Sequence, residues 1–446
     1  MTEEKEFSGY KGEALAIIKN AGAKIGDIVQ ITRNGHLYEG ILIPSSEYGN
    51  NKHLVIKLSS GYNIGVKITS DTNVKKIKKG ARPAFLAPSL PEQNPALPKV
   101  SIISTGGTIA SRVDYRTGAV RPALTASDLY SVVPELTDIA QIDTHILFSI
   151  FSENVTPKHW TKMAKAITSQ ITNGMDGVVI AHGTDTMGYT AAALSFAIQD
   201  LPVPIILVGS QRSADRPSSD AATNLIGAVR AAATAPFAEV GLAMHETTSD
   251  TSILIHKGTK VRKCHTSKRD AFESVNAAPL ARVQGQTVTM LETEYQKRDS
   301  TRKPTLRPLF NKKVGLVKFY PGMKPTMINW YTENNYLGII IEGTGLGHVD
   351  SRLFKALENA VEQHLVVGMT SQCIWGRINM NVYNQGRDLL SLGVVPLEDM
   401  LPETAVVKLM WIFGQTKDAD KAREMLTEDI EGELSPRTVH LDERGV

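Results

Sequence analysis

Four side chains have the types and surroundings for acyl chemistry: Thr108, Thr184, Asp185 and Lys263. Thr108 follows two glycines in STGGTIAS, from Ser104 to Ser111. Thr184 follows Gly183 and precedes Asp185 in GVVIAHGTDTMGYTAAALSFAIQDL, from Gly177 to Leu201. Lys263 stands in VRKCHTSKRD. A threonine hydroxyl is a weak nucleophile at neutral pH. It attacks a carbonyl only where a neighbouring group handles its proton and donors hold the developing oxyanion. Each of these residues alone has an ordinary structural reading. The threonines serve as helix caps or turn residues, Asp185 as an N-terminal cap, Lys263 as a surface lysine and His182 as a packed turn histidine. Those readings lose ground when the residues are taken together.

The elements that must position them can be read from the apolar pattern. Val178-Val179-Ile180 is a run of buried-strand length, and His182 to Asp185 a tight turn. Met187, Ala191, Leu194, Ile198 and Leu201 fall on one face of a helix expected to run to Leu201. Thr184 and Asp185 are thereby expected at the C-terminal end of a strand and the N-terminus of a helix. Open α/β sheets bind ligands there, and the helix end offers free N–H groups and the positive end of its dipole. KVSIIST likewise reads as a strand leading into Gly106-Gly107-Thr108. HILFSIF, GVVIA, PIILVG, EVGLAMH and TSILIHKG read as further strands, alternating with helices over 158–171 and 221–233. This predicts a larger, mainly parallel α/β domain over 99–300. The basic, proline-bearing stretch 295–308 reads as a linker. VGLVKFY, LGIIIEG, LVVGMT and a helix over 403–413 predict a smaller α/β domain at 312–414, followed by a charged helix and tail over 415–446. The GTGLG at 343–347 is expected to be a turn against the domain interface.

Residues 1–82 read as a separate small β-barrel. A short helix over 11–21 precedes strands separated by Asn34-Gly35, a strong hairpin signal, and by Ser59-Ser60-Gly61. The unit ends in a basic run, Lys67, Lys75, Lys76, Lys78, Lys79 and Arg82. Two readings stay open for it: an RNA-contacting edge, or a solvated strand edge where lysines discourage aggregation. Five prolines mark 83–98 as a semi-rigid linker.

Composition excludes several classes. A chain of 446 residues holds roughly three domains. A net charge of +3 is too small to argue for nucleic acid by itself. The two cysteines, Cys264 and Cys373, imply no disulfide framework and fit a cytoplasmic location. No signal peptide or membrane-spanning run is evident. The sequence has no GxxxxGK[ST] phosphate loop, dinucleotide fingerprint, HExxH or GxSxG elbow, and no zinc motif, so no metal is expected in this chain.

At these residues the chain resembles the bacterial-type L-asparaginase family. TGGTIAS carries the first signature threonine, Thr108, and HGTDTM the second, Thr184, with Asp185. VRKCHTSKRDAFESVN carries the family lysine, Lys263; DYRTG places the mobile-loop tyrosine at Tyr115; FSEN places substrate-holding residues at Ser152 and Glu153. The resemblance covers about 99–414. It implies an asparaginase-like two-domain α/β body and a Thr108 nucleophile assisted by Tyr115. It also implies that Thr184 and Lys263 handle protons, with Asp185 orienting them and facing the substrate. Glu153 stands where many asparaginases carry glutamine, and about 98 residues precede the first signature strand. A small barrel and proline-rich linker before such a body is similar to the D-subunit family of archaeal Glu-tRNA(Gln) amidotransferases. That likeness implies a glutaminase supplying ammonia to a tRNA-binding kinase and transamidase subunit, which uses ATP and Mg to amidate glutamate on tRNA(Gln). It further implies a homodimer core within a heterotetramer and no cofactor in this chain. A free-standing L-asparaginase and a non-catalytic docking or RNA-binding scaffold are the alternatives.

Overall fold

The computed structural model describes residues 7, 9–45, 51–58, 63–80, 94–107, 111–114, 119–122, 133–212 and 219–438. Thr108 and Tyr115 lie outside the described residues, as do 81–93 of the proline-rich stretch.

The N-terminal unit opens with the helix Gly12–Asn20. Five antiparallel strands follow: Ile28–Arg33, His36–Leu42, His53–Lys57, Asn63–Lys67 and Asn73–Lys78. The last of them pairs back onto the first. The hairpin expected at Asn34-Gly35 is present. Arg33 pairs with His36 across two residues at φ 47° and 73°, the left-handed pair that matches strand twist in a two-residue turn. Ile18, Val29, Ile31, Leu42, Leu54 and Ile56 form the unit's core. Part of the basic run is structural: Lys76 Nζ meets Oδ2 of the buried Asp27 at 2.6 Å, while Lys75, Lys78 and Lys79 are exposed.

The larger body is built on an eight-stranded sheet. Five parallel strands lie side by side in the spatial order Gln141–Ile146, Lys99–Ser104, Gly177–Ala181, Ile205–Val208, Val240–His245. Ile253–Lys257, Ala281–Gln284 and Thr287–Met290 extend it antiparallel. Every residue of Gly177–Ala181 and Ile205–Val208 is buried, because helices cover both faces of the parallel part. From Lys99–Ser104 the chain moves to one side for Gln141–Ile146, then to the other for Gly177–Ala181. This reversal leaves a crevice at the C-terminal ends of those strands.

The helix after Thr184 differs from its expected form. It spans Met187–Ala197, and Ile198–Gln199 turns into a strand that pairs with Thr305–Leu306. It is also buried nearly all round, not on one face. The sheet covers one side and the helix Pro402–Gln415 the other, with Phe196 stacked on Trp411 at 5.8 Å between ring centroids. An Ala-rich sequence permits this close approach. The expected linker at 295–308 is a strap on the larger domain. Arg298 donates to the carbonyls of Ala232 (2.8 Å), Ala235 (3.1 Å) and Asp176 (2.5 Å), satisfying the end of the helix Ala221–Thr234. The strand expected over HILFSIF ends at Ile146, and residues 147–151 form a loop toward Ser152.

The smaller domain has four parallel strands, Val314–Lys318, Gly338–Gly343, Val366–Ser371 and Val395–Pro396. The turn at 343–347 packs Gly347 against Met369, Ile378 and Met380 of this domain's own core, not against the interface. The helix Ala419–Thr427 and the segment after it pack back on the body, where Lys408 Nζ meets Glu433 Oε1 at 2.6 Å with both side chains fully buried. Among the described residues no helix is long and apolar enough to cross a membrane.

Candidate active site

Three neighbouring strands deliver the candidate residues to one edge of the sheet. Lys99–Ser104 leads to Gly106 and Gly107, Gln141–Ile146 leads by its loop to Ser152, and Gly177–Ala181 leads to Thr184 and Asp185. These loops meet at van der Waals distance. A Cβ on Gly106 would stand 2.1 Å from the Ile150 carbonyl oxygen. One on Gly107 would stand 2.8 Å from the Gly183 nitrogen, and Gly107 also has φ +80°, a left-handed conformation that favours glycine. A Cβ on Gly183 would stand 2.9 Å from Ser152 Cβ. Thr186 Oγ1 donates to the Ser152 carbonyl at 2.7 Å, closing the contact between the second and third loops.

Thr184 and Asp185 open a single 3-10 turn, Thr184–Thr186, that runs directly into the helix Met187–Ala197. The strand-to-helix placement expected for them is thus present, with a short tight turn ahead of the helix. Lys263 ends the strand Val261–Lys263, which pairs with Phe272–Ser274 in a small hairpin. Its Nζ donates to Thr184 Oγ1 at 2.9 Å and to Asp185 Oδ1 at 2.8 Å. Two residues 79 and 78 positions upstream therefore share one ammonium. Thr184 is buried and the lysine side chain 15% exposed, whereas the Asp185 carboxylate is 68% exposed. The cluster presents its hydroxyl and amine at the floor of the crevice and its carboxylate at the rim.

The hairpin that carries Lys263 belongs to the larger domain and is anchored on the smaller one at two points. Lys260 Nζ meets Asp399 Oδ2 of the smaller domain at 2.8 Å, both buried, and Arg262 Nε meets Glu403 Oε1 at 3.3 Å. Burial pulls the Lys260 amine below its ordinary range while Asp399 opposes that pull. Cys264, the next residue after Lys263, is exposed at the start of the hairpin's turn and carries a free thiol.

His182 is the packed turn histidine its position suggested, and its hydrogen bonds define its form. Nδ1 faces the Gly183 carbonyl at 2.7 Å, an acceptor, so Nδ1 carries the proton. Nε2 accepts from the Thr190 hydroxyl at 3.0 Å, and that oxygen accepts from Trp160 Nε1 at 3.1 Å. Burial holds the ring's pKa down to about 4, so it is neutral near pH 7. This neutral relay anchors the turn that presents Thr184.

Ser152 is buried against Gly183, and Glu153 is exposed beside it on the turn Ser152–Asn154. Thr184, Asp185, Lys263 and Ser152 are brought together, with Glu153 at the rim. Sequence reasoning passed over Thr186, although a second hydroxyl two residues after Thr184 was visible in HGTDTM. It also passed over Gly209, whose Cβ position lies 2.7 Å from the Thr184 methyl group. Among the described residues no group of three or more acidic, His or Cys side chains could hold a metal.

Comparison with known proteins places this geometry. Residues 99–296 match the asparaginase N-terminal family, 313–426 the glutaminase/asparaginase C-terminal domain, and 23–77 the GatD N-terminal domain. The chain is similar to the D subunit of glutamyl-tRNA(Gln) amidotransferase from Methanothermobacter thermautotrophicus, at 49% identity over 96% of this chain and 98% of that protein. It is likewise 49% identical to the corresponding protein of Metallosphaera sedula, over 97% of each chain. Among solved structures, the thermostable L-asparaginase from Thermococcus kodakarensis matches with a TM-score of 0.70 and 31% identity, covering 76% of this chain and all of that one. Full-length similarity at this level, together with the N-terminal domain match, shows that the chain belongs to the D-subunit family of glutamyl-tRNA(Gln) amidotransferases, on an asparaginase-like body.

Proposed function

We propose that the chain is the glutaminase subunit of a Glu-tRNA(Gln) amidotransferase. The observation that carries this is the Lys263 amine within hydrogen-bonding reach of both Thr184 and Asp185, at a switch point of the sheet, in a chain matched along its length by the D subunits of such enzymes. Thr108, the residue after Gly107, attacks the side-chain carboxamide carbon of glutamine while Tyr115 assists removal of its proton. The tetrahedral intermediate collapses with cleavage of the C–N bond, and ammonia leaves carrying the proton. Water then hydrolyses the threonyl ester to glutamate, its proton passing through the Thr184–Lys263 pair. N–H groups of the turn 183–185 hold the oxyanion, a contribution of about 100- to 1000-fold in rate per donor. Ser152, Glu153 and Asp185 bind the amino-acid end. Both carboxylates can only accept hydrogen bonds, so they suit the substrate's α-ammonium.

The ammonia serves a partner subunit that binds tRNA(Gln) and activates the attached glutamate with ATP and Mg. This chain itself needs no cofactor. A homodimer of it forms the core of a heterotetramer in the cytoplasm. The test is ammonia release from glutamine and from asparagine, with and without the partner and Glu-tRNA(Gln). Glutamine hydrolysis that rises with the partner and tRNA is expected. Strong asparagine hydrolysis by the chain alone, indifferent to tRNA, would make it a free-standing asparaginase. Failure to bind or hydrolyse glutamine even with the partner would make it a scaffold.

A further inference from the structure

We propose that His245, Asp250 and Arg269 are positioning residues for the Lys263–Thr184 pair, joining the hairpin that carries Lys263 to the loop against which Thr184 rests. The inference rests on the glutaminase reading of that pair and adds three residues to it.

The connection can be followed atom by atom. Gly209 lies against the Thr184 methyl group. Its carbonyl accepts from Asn224 Nδ2 at 2.9 Å, and the same nitrogen donates to Asp220 Oδ2 at 3.0 Å. Asp220 in turn accepts from the backbone nitrogens of Gln211 and Arg212, both at 2.9 Å, and so fixes the start of the loop after Ile205–Val208. With both acceptors on its nitrogen, Asn224 must aim its oxygen at His245, whose Nδ1 lies 2.6 Å away. His245 Nε2 lies 3.0 Å from Asp250 Oδ1, and Arg269 Nη1 donates to that same oxygen at 2.9 Å and to the Thr248 carbonyl at 3.2 Å. Arg269 is six residues beyond Lys263, in the segment that closes the hairpin. The chain of contacts thus leaves Thr184 by one route and returns to its partner Lys263 by another.

Two features make this more than packing. First, the fully buried His245 ring is held at both nitrogens, by Asn224 Oδ1 and by Asp250 Oδ1, so it cannot turn without breaking one of the two contacts. The hydrogen bond from His245, with the charge of Arg269 adding to it, holds the Asp250 carboxyl below the usual carboxylate range. Second, the hairpin is short. Val261–Lys263 and Phe272–Ser274 share three residue pairs, and residues 264–268 are exposed. Lys260 and Arg262 fix its base. The Arg269–Asp250 bond fixes it beyond the tip. Lys263 has to satisfy two acceptors from two adjacent residues with one ammonium, a geometry that a displacement of about 1 Å destroys.

The experiment uses the chain assembled with its amidating partner and Glu-tRNA(Gln). Arg269→Ala, Asp250→Asn and His245→Asn are each expected to lower kcat for glutamine by roughly 10- to 100-fold, with KM within about twofold of wild type. Arg269→Lys, which keeps a donor and a charge, is expected to recover part of the loss. In a Lys263→Met background, Arg269→Ala is expected to have no further effect, because it acts through Lys263. Amidation supplied with free ammonium is expected to stay at the wild-type rate. Unchanged kcat in all three variants, a rise in KM alone, or parallel loss of ammonium-supported amidation would each overturn the proposal. A wild-type assembly that hydrolyses no glutamine would instead overturn the reading of the pair itself, and this proposal with it.

Discussion

His182 shows how burial at a single residue serves the site. Its ring is neutral because burial holds the pKa down to about 4, and His256 is held to about 4 by the same cause. Folding therefore excludes two protons that an unfolded chain takes up as pH falls below the ordinary value of 6.5. Both pKa values are depressed on folding. The associated stability is thus fully present above pH ~6.5 and is lost as pH falls toward ~4, by about 3 kcal/mol per histidine. Urea midpoints at pH 7.5 and pH 5 should show the decline, and His182→Asn should have a shallower pH dependence than the wild type; equal slopes would contradict it. At this scale much was legible. Thr184 and Asp185 announced themselves by residue type beside Gly183, and Lys263 by its place in VRKCHTSKRD, the segment that resembles the family's lysine segment. His245, Asp250 and Arg269 did not, because their link is made by tertiary contacts from separate strands and no local spacing encodes it.

Elements bring the loops together, and glycine permits the contact. Gly107 is held at φ +80° with its Cβ position 2.8 Å from the Gly183 backbone nitrogen. Backbone cannot yield as a flexible side chain can. Gly107→Ala is expected to push the first loop off the HGTDT turn and lower glutamine hydrolysis by about 100-fold; activity within a fewfold of wild type would show that the turn tolerates the shift. The strand-to-helix placement of Thr184 was readable from an apolar run, a turn and a helical period. The end of that helix was not. Ile198–Gln199 becomes a strand because Thr305–Leu306 arrives to pair with it from a segment that reads as a linker. Likewise the helix's all-round burial depends on Pro402–Gln415, contributed from over two hundred residues downstream.

Across the whole molecule, the two α/β domains share one continuous core running from Val178 and Ile180 through Phe196 to Trp411 and Ile412. The C-terminal segment secures it. Lys408 and Glu433 form a fully buried pair, and Glu433 also accepts from the backbone nitrogens of Ile430 (3.1 Å) and Glu431 (2.7 Å). Removing one partner leaves an uncompensated buried charge, so Glu433→Ala should destabilise the body by about 3–5 kcal/mol. The double variant Lys408→Met/Glu433→Leu should recover most of that loss in thermal or urea unfolding. Equal damage from single and double variants would mean the segment matters through its backbone contacts alone.

The proposed role of the site at the sheet's switch point, with Thr108 as nucleophile and the Thr184–Lys263 pair handling protons, is to release ammonia from glutamine for use elsewhere. It is tested most directly by amidation of Glu-tRNA(Gln) in the assembled complex, comparing glutamine with ammonium as nitrogen donor, for Lys263→Met, Thr184→Val and Thr108→Val. Glutamine-dependent amidation should fall by at least about 100-fold while ammonium-dependent amidation persists. Retention of glutamine-dependent activity in these variants, or loss of both activities together, would contradict it.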